Sequence, residues 1–330
     1  MNDPQGDPVP VSSADGLGQT FIVGYPRSGT TWVMWLLAQH PRVAAFQQSG
    51  FFHALKPIAD WWETDHLFSR RQEAASDGAV YKMFGSTSVL DPKDFYSLCR
   101  TLAQHAFHQI ATGTPGAKMV VEQTPENSEF KDLVLGIFPD AHFIHVIRDP
   151  RAAYCSIRSA NMTWNRQFPE HPYTLAKRWK EIVRSALQIK SQTERYIEVR
   201  YEDLSRDPVS ELQRIHASLG LESDRAACER AVEACRIDKL RSNTKMPKGF
   251  YRKGSVDGWR GEIPRRDLHI LEYLLGEDME KLGYAREHPD SRRRPFHLLP
   301  LGSAARIRSR LRRMGAKSRW PRQFKATGDA

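Results

Sequence analysis

The chain has 330 residues, of which 40% are hydrophobic, 27% charged and 10% aromatic, a composition typical of a globular protein with one large or two small domains. No apolar run reaches the roughly 18 residues that a membrane-spanning helix needs. The net charge of +10 comes from the last forty residues, which hold twelve Lys and Arg and a single acid, so the first 290 residues carry a net charge of only −1.

The chain divides into three compositional blocks. Residues 1–18 are rich in Pro, Gly, Ser and Asp, without a basic start or an apolar stretch, so we expect a disordered lead-in and no signal peptide. Residues 19–290 are expected to form the folded domain, and 291–330 a basic tail. The four cysteines form no CxxC pair, which favours four free thiols in a reducing compartment over a disulfide framework or a metal site.

Strand and helix patterns alternate along the chain. The predicted strands are Thr20–Pro26, Lys118–Pro125, Ala141–Pro150 and Arg195–Leu204. The predicted helices are Thr30–Gln39, Ser128–Phe138, Arg151–Ser159, Tyr173–Ser191, Pro208–Leu219, Asp224–Cys235 and Arg265–Leu282. This order predicts an α/β fold with three layers, P-loop-like, in which helices flank a central, mostly parallel sheet. Residues 47–116 are less regular and rich in aromatic side chains, so we expect helices and loops that line one side of a cleft.

The first strand runs into a glycine-containing turn and then a helix, as in phosphate-binding loops. In nucleotide triphosphatases that loop carries a lysine, and here Thr30 occupies its position. The only cation of the loop is Arg27, three residues earlier. This arrangement suits a loop that holds a single terminal phosphate, with the cation placed over the bond that leads from this phosphate to the next group. The alternative is a tight turn that binds nothing, and the hydroxyls of Thr30 and Thr31 argue against it.

The loop sequence PRSGTTW resembles the P-K-S-G-T-T-W loop of sulfotransferases that use 3′-phosphoadenylyl sulfate (PAPS). The resemblance implies that this loop holds the 5′-phosphosulfate and that Arg27, in place of the family's lysine, steadies the leaving bridge oxygen. It assigns the donor to backbone and side-chain groups of Arg27, Ser28, Gly29, Thr30 and Thr31. It also places Trp32 near the adenine, although a tryptophan on a helix face can equally be core material.

Three further segments are similar to the motifs of this family, in the same order. VIRDPRAAYCSIRS places Arg148 and Ser156 at the spacing of the 3′-phosphate motif, although Arg148 could instead pair with Asp149. FYRKGSVDGWR resembles the R-K-G loop that also clamps the 3′-phosphate, which nominates Arg252, Lys253 and Gly254. RYEDLSRDP nominates Tyr201 as the side chain that approaches the adenine.

Two residues are candidates for the general base that accepts the proton of the acceptor. Glu122, in KMVVEQTPEN, matches the E-K-T-P segment of bacterial and Golgi-like family members; a structural pairing with Arg27 or Lys118 is the alternative. His53, in QQSGFFHAL, is the second candidate, and a packing or surface role is its alternative. Because a sulfuryl group carries fewer negative charges than a phosphoryl group, we expect no metal ion to take part.

The resemblance implies sulfuryl transfer from PAPS to a hydroxyl or amine of a small-molecule, lipid, glycolipid, saccharide or phenolic acceptor. We expect a cytoplasmic protein, with contact to a membrane surface through the basic tail as one interpretation and a disordered extension as another. Nucleic acid is not an expected partner. A P-loop kinase or NTPase, and a non-catalytic protein that binds adenine nucleotides, are the alternative functions.

Overall fold

A computed structural model of the chain describes residues 16–75, 91–163, 168, 171–247, 249–251 and 254–295, with only the backbone for 65–75. The lead-in up to residue 15 and the basic tail from residue 296 lie outside the described residues. The described residues form two compact units. The first comprises the residues up to Arg148 together with Ile182–Met246, and the second comprises Asp149–Glu181 together with the residues from Pro247 onward.

A five-stranded sheet forms the centre of the first unit. Its strands are β1 (Gly18–Gly24), β2 (Val43–Gln47), β3 (Met119–Gln123), β4 (His142–Ile147) and β5 (Tyr196–Arg200). They lie in the order β2-β3-β1-β4-β5, and all four neighbouring pairs are parallel. The prediction of a parallel sheet is therefore confirmed. The carboxyl ends of all five strands share one edge, which is where such sheets bind ligands.

Helices make up most of the remaining described chain. They are α1 (Thr30–Leu37), α2 (Phe51–Ala75), α3 (Pro92–Ala111), α4 (Lys131–Ile137), α5 (Pro150–Thr163), α6 (Pro172–Ile189), α7 (Tyr201–Arg206), α8 (Pro208–Ser218), α9 (Arg225–Ala234), α10 (Ile237–Asn243) and α11 (Arg265–Lys281), with a 3₁₀-helix at Pro125–Phe130. All seven predicted helices are present. The predicted helix Ser128–Phe138 begins as the 3₁₀-helix, and α2, α3, α7 and α10 were not predicted as helices of these bounds.

Several helix boundaries follow from local sequence signals. The carboxylate of Asp91 accepts a hydrogen bond from the backbone N–H of Asp94, and Pro92 occupies the first helical position of α3. Asp207 and Pro208 begin α8 in the same way. The predicted strand Arg195–Leu204 was too long, because the chain turns into α7 at Tyr201.

Aromatic rings fill the core between the sheet and the helices of the first unit. Phe21 lies at its centre, with the ring centroids of Phe52, Phe107, Phe138 and Phe143 between 5.5 and 6.1 Å away. Phe52 and Phe107 come from the segment that we expected to line a cleft, and both are fully buried. These two rings therefore stabilise the core instead of facing an acceptor.

The second unit contains a buried ionic cluster. Arg151, which is 2% exposed, bonds Asp149 at 2.7 Å and Glu272 at 2.7 Å. Glu272 also accepts hydrogen bonds from the backbone N–H groups of Glu287 and His288. Removing one partner of such a cluster leaves a buried charge and costs about 3–5 kcal/mol.

Two negative findings concern the described part of the chain. No disulfide joins any of its four cysteines, all of which are buried. None of its helices combines the length and the hydropathy that crossing a bilayer requires.

Candidate functional site

The turn between β1 and α1 has an unusual backbone. Gly24 leaves the strand at φ 145°, where a Cβ would collide with the carbonyl oxygen of Val146 on β4. Arg27 and Gly29 then adopt left-handed conformations, with φ of 70° and 101°. Alternating right- and left-handed residues turn successive N–H groups toward one side, which forms a concave surface for an anion.

The start of α1 provides hydrogen-bond donors for an anion. Gly29 precedes the helix with no side-chain cap, and the first turn contains no acid. The N–H groups of Thr30 and Thr31 have no intrahelical carbonyl to bond, as in every first turn. The hydroxyl of Ser28 is buried, and among the described residues it has no hydrogen-bond partner. Together with the helix dipole, these groups favour a bound anion.

Gln123, at the end of β3, holds the two threonines in place. Its amide nitrogen donates to Thr30 Oγ1 at 3.0 Å, and its amide oxygen accepts from Thr31 Oγ1 at 3.4 Å. The side chain is 1% exposed. The sequence analysis did not single out Gln123; the available signal was a polar residue at the end of a predicted strand.

Arg148 lies at the end of β4 and contacts the same loop. Its guanidinium donates to the carbonyl oxygen of Arg27 at 3.0 Å and lies 3.9 Å from the ring centroid of Tyr201. Trp32 makes an edge-to-face contact with Tyr201 at 5.9 Å. The side chain of Asp149, the alternative partner for Arg148, instead bonds Arg151. The first unit thus brings the loop, Arg148, Trp32 and Tyr201 together.

Glu122 lies on the opposite face of the sheet from Gln123. Its side chain is fully buried on the face that carries Phe21. Burial raises the pKa of Glu122, and hydrogen bonds from Thr124, Ser49 and Asn127 oppose that effect. Its described partners are thus hydroxyl, amide and backbone groups, not the cations that we considered as an alternative.

His53, the other candidate base, has an exposed side chain in the first turn of α2. Its ring contacts Phe130, the last residue of the 3₁₀-helix, edge to face at 4.6 Å. The two candidate bases therefore border the same short helix. They differ in access to solvent, because Glu122 is fully buried and His53 is exposed.

The remaining candidates belong to the second unit. Ser156 is buried in α5, and Gly254 is exposed with φ 66°. Arg252 and Lys253 lie outside the described residues. Trp259, five residues after the R-K-G sequence, is buried against Arg151, whose guanidinium lies 3.9 Å from the ring centroid. The end of this loop is thereby attached to the buried ionic cluster.

The comparisons with known proteins point to one protein family. The model of the sulfotransferase family matches residues 19–225. The nodulation protein NoeE of Sinorhizobium fredii is 26% identical over 80% of this chain and 65% of its own length. The omega-hydroxy-beta-dihydromenaquinone-9 sulfotransferase Stf3 of Mycobacterium bovis is 26% identical over 53% of this chain and 44% of its own length. The chain therefore spans less than two thirds of the length of these two relatives.

A solved structure shows the fold. The mouse sulfotransferase SULT7A1, crystallised in complex with PAP, matches 79% of this chain and 84% of its own chain, with a TM-score of 0.50 and 16% identity. This similarity confirms the predicted α/β architecture.

Proposed function

The chain belongs to the sulfotransferase family, and we propose that it transfers a sulfuryl group from PAPS to a hydroxyl or amine of an acceptor. The observation that carries this proposal is the turn before α1. It combines left-handed Arg27 and Gly29, an uncapped helix start and the buried hydroxyl of Ser28. Such a turn fits one tetrahedral anion, and it lacks the lysine that a triphosphate requires.

The residues present fit the 5′-phosphosulfate of the donor. The N–H groups of Gly29, Thr30 and Thr31 bind the phosphate oxygens, and the Ser28 hydroxyl supplies a further donor. Arg27 neutralises the charge that develops on the bridge oxygen as the bond to sulfur breaks. When bound, PAPS supplies the activated sulfuryl group. The protein contributes position and charge, which dominate catalysis in group transfers of this kind.

The adenosine part of the donor is assigned to a second set of side chains. Tyr201 and Trp32 form an aromatic surface for the adenine, and their mutual contact supports this role. Arg148 provides a cation for the 3′-phosphate. The motif resemblance separately nominates Ser156, Arg252, Lys253 and Gly254 as groups that contact the 3′-phosphate.

A general base completes the proposed site. Glu122 and His53 are the candidates, and the acceptor oxygen attacks sulfur in line with the leaving oxygen as its proton is removed. We propose a small-molecule or lipid acceptor, since the name of the relative Stf3 gives an omega-hydroxylated dihydromenaquinone. Saccharide and phenolic acceptors, contact with a membrane surface through the tail and a cytoplasmic location remain predictions.

Incubation with ³⁵S-labelled PAPS and a panel of acceptors tests the proposed reaction. We expect label on a hydroxyl or amine of at least one acceptor and formation of adenosine 3′,5′-bisphosphate (PAP). Turnover of ATP without transfer from PAPS would favour a P-loop kinase or NTPase. Binding of PAP without any transfer or hydrolysis of PAPS would favour a non-catalytic nucleotide-binding protein.

A further inference from the structure

Both carboxylate oxygens of Glu122 accept hydrogen bonds from other groups of the protein. Glu122 Oε1 accepts hydrogen bonds from the N–H of Ser49 at 3.1 Å, from Ser49 Oγ at 2.8 Å and from Thr124 Oγ1 at 2.5 Å. Its Oε2 accepts from Asn127 Nδ2 at 2.5 Å. An acceptor hydroxyl would have to displace these donors and enter a fully buried position. Such a carboxylate is suited to hold other groups in place.

One oxygen of Glu122 fixes the start of α2. Ser49 Oγ donates to this carboxylate and in turn accepts a hydrogen bond from the N–H of Phe51, the first residue of α2, at 3.2 Å. The side chain of His53 leaves the helix two residues later. The carboxylate therefore sets the position from which the imidazole projects.

The other oxygen fixes the surface on which the imidazole lies. Asn127, which donates to Oε2, belongs to the 3₁₀-helix that ends at Phe130. The ring of Phe130 contacts the ring of His53 at 4.6 Å. Both supports of His53, the start of α2 and the 3₁₀-helix, are thus joined through the single carboxylate of Glu122.

The strand order places His53 at the edge of the sheet that carries the phosphate loop. Helix α2 follows the carboxyl end of β2, and the loop follows the carboxyl end of β1, with only β3 between these two strands. Neighbouring strands lie about 4.8 Å apart, so the two strand ends are separated by roughly 10 Å. The imidazole of His53 and the phosphate loop therefore belong to the same edge of the sheet.

We propose that Glu122 is a positioning residue, which holds the start of α2 and the 3₁₀-helix, and that His53 is the base that these two supports present to the acceptor. A ring nitrogen of His53 takes the proton of the acceptor O–H as the new O–S bond forms. The S–O bond to the donor phosphate breaks, and its electron pair leaves with PAP. This assignment rests on the proposed function and decides which candidate base acts in it.

The test uses His53→Ala, Glu122→Gln and the double variant, with the exposed His105→Ala on α3 as the control. Rates are measured with labelled PAPS and the fastest acceptor among 1-dodecanol, 2-naphthol and cellobiose. If none of these reacts, hydrolysis of PAPS by water serves as the readout. Affinity for PAP is measured by calorimetry on each variant.

We expect His53→Ala to lower kcat at least about 100-fold, with PAP affinity within about twofold of the parent. Added imidazole should restore part of this loss. Glu122→Gln should lower kcat about tenfold, and imidazole should not restore it. In the double variant, Glu122→Gln should lower kcat hardly further than His53→Ala alone does. If Glu122→Gln does not fold, Ser49→Ala breaks the same connection to α2 and should show the same dependence on His53.

Other results would overturn the assignment. A loss of at least about 100-fold for Glu122→Gln, with His53→Ala within threefold of the parent, would make Glu122 the base. If the free-energy losses of the two single variants add in the double variant, the positioning role of Glu122 is contradicted. Failure of the parent protein to bind PAP is a different outcome, because it would contradict the proposed function itself.

Discussion

Gly29 and Tyr201 lie so close together that no side chain fits between them. A Cβ on Gly29 would meet the ring carbons of Tyr201, the residue that also contacts Arg148 and Trp32. Gly29 also has a φ of 101°, which L-residues rarely adopt. The conformation of the turn at Gly29, proposed to bind the phosphate, therefore depends on the position of the Tyr201 ring, proposed to face the adenine.

Gly29→Ala should lower the affinity for the donor by more than backbone strain alone would. We expect PAP affinity to fall at least about tenfold, because both the turn and the Tyr201 ring must shift. Gly220→Ala is the matched control, since Gly220 has φ 66° but no heavy atom within 4 Å of its added Cβ. The control should lose about 1 kcal/mol of unfolding free energy and keep its PAP affinity. Equal PAP affinities for the two variants, measured by calorimetry, would contradict this view of the turn.

Arg148→Lys should change the preference of the protein for a 3′-phosphate. Lysine keeps the charge but loses the fork that bonds the Arg27 carbonyl and the plane that stacks on Tyr201. We expect PAP affinity to fall about tenfold and AMP affinity to change less. Arg195→Lys, at an exposed site that bonds Asp140, is the control. If PAP and AMP affinities fell in equal proportion, Arg148 would support only the loop and not the 3′-phosphate.

His145 should contribute to loss of stability in acid. It is fully buried on β4 beside the hydroxyl of Tyr196, and burial lowers its pKa to about 3. An unfolded histidine has a pKa near 6.5, so the unfolded chain gains a proton below that pH while folded His145 does not. The stability that His145 contributes in its neutral form is thus present above about pH 6.5 and is lost as pH falls toward 3.

The expected cost of His145 between pH 7 and pH 5 is about 2 kcal/mol of unfolding free energy. His145→Asn removes this titration, so the variant should lose about 2 kcal/mol less than the parent over that interval. Urea unfolding at both pH values measures the difference, with exposed His105→Asn as the control. Identical pH dependence in the parent and His145→Asn would show that burial does not lower the pKa of His145 below its value in the unfolded chain.

Treatment with a chelator should leave the transfer rate unchanged. A sulfuryl group carries fewer negative charges than a phosphoryl group, and Arg27 with the N–H groups of the α1 start meets the charge that develops on the phosphate side. Initial rates with labelled PAPS, before and after EDTA and again after added Mg²⁺, measure this. Loss of activity in EDTA and its recovery with a divalent ion would contradict the proposed charge balance.

The sequence was most informative where chemistry depends on adjacent residues. The loop from Arg27 to Trp32 was predicted, since glycine, hydroxyl and cation occur there in one short stretch. Strand β2 was missed because VAAFQ shows no clear alternation of apolar and polar residues. The bounds of helices α2 and α3 were not predicted, because their aromatic residues pack into the core and obscure the helical period.

The supporting residues of the site could not be predicted from the sequence. Alternation along β3 implies that Glu122 and Gln123 point to opposite faces, but it does not reveal which helix covers each face. The structure pairs Gln123 with Thr30 on α1 and Glu122 with Ser49 before α2. Contacts that join residues more than 70 positions apart arise from the order of the strands, which no local pattern encodes.

The most direct test of the account is calorimetric titration of the full chain with PAP and, separately, with AMP. Because the proposed site grips both the 5′-phosphate at the α1 loop and the 3′-phosphate near Arg148, PAP should bind at least about tenfold more tightly than AMP. No binding of PAP, or equal affinities for PAP and AMP, would contradict the claim that this chain uses PAPS.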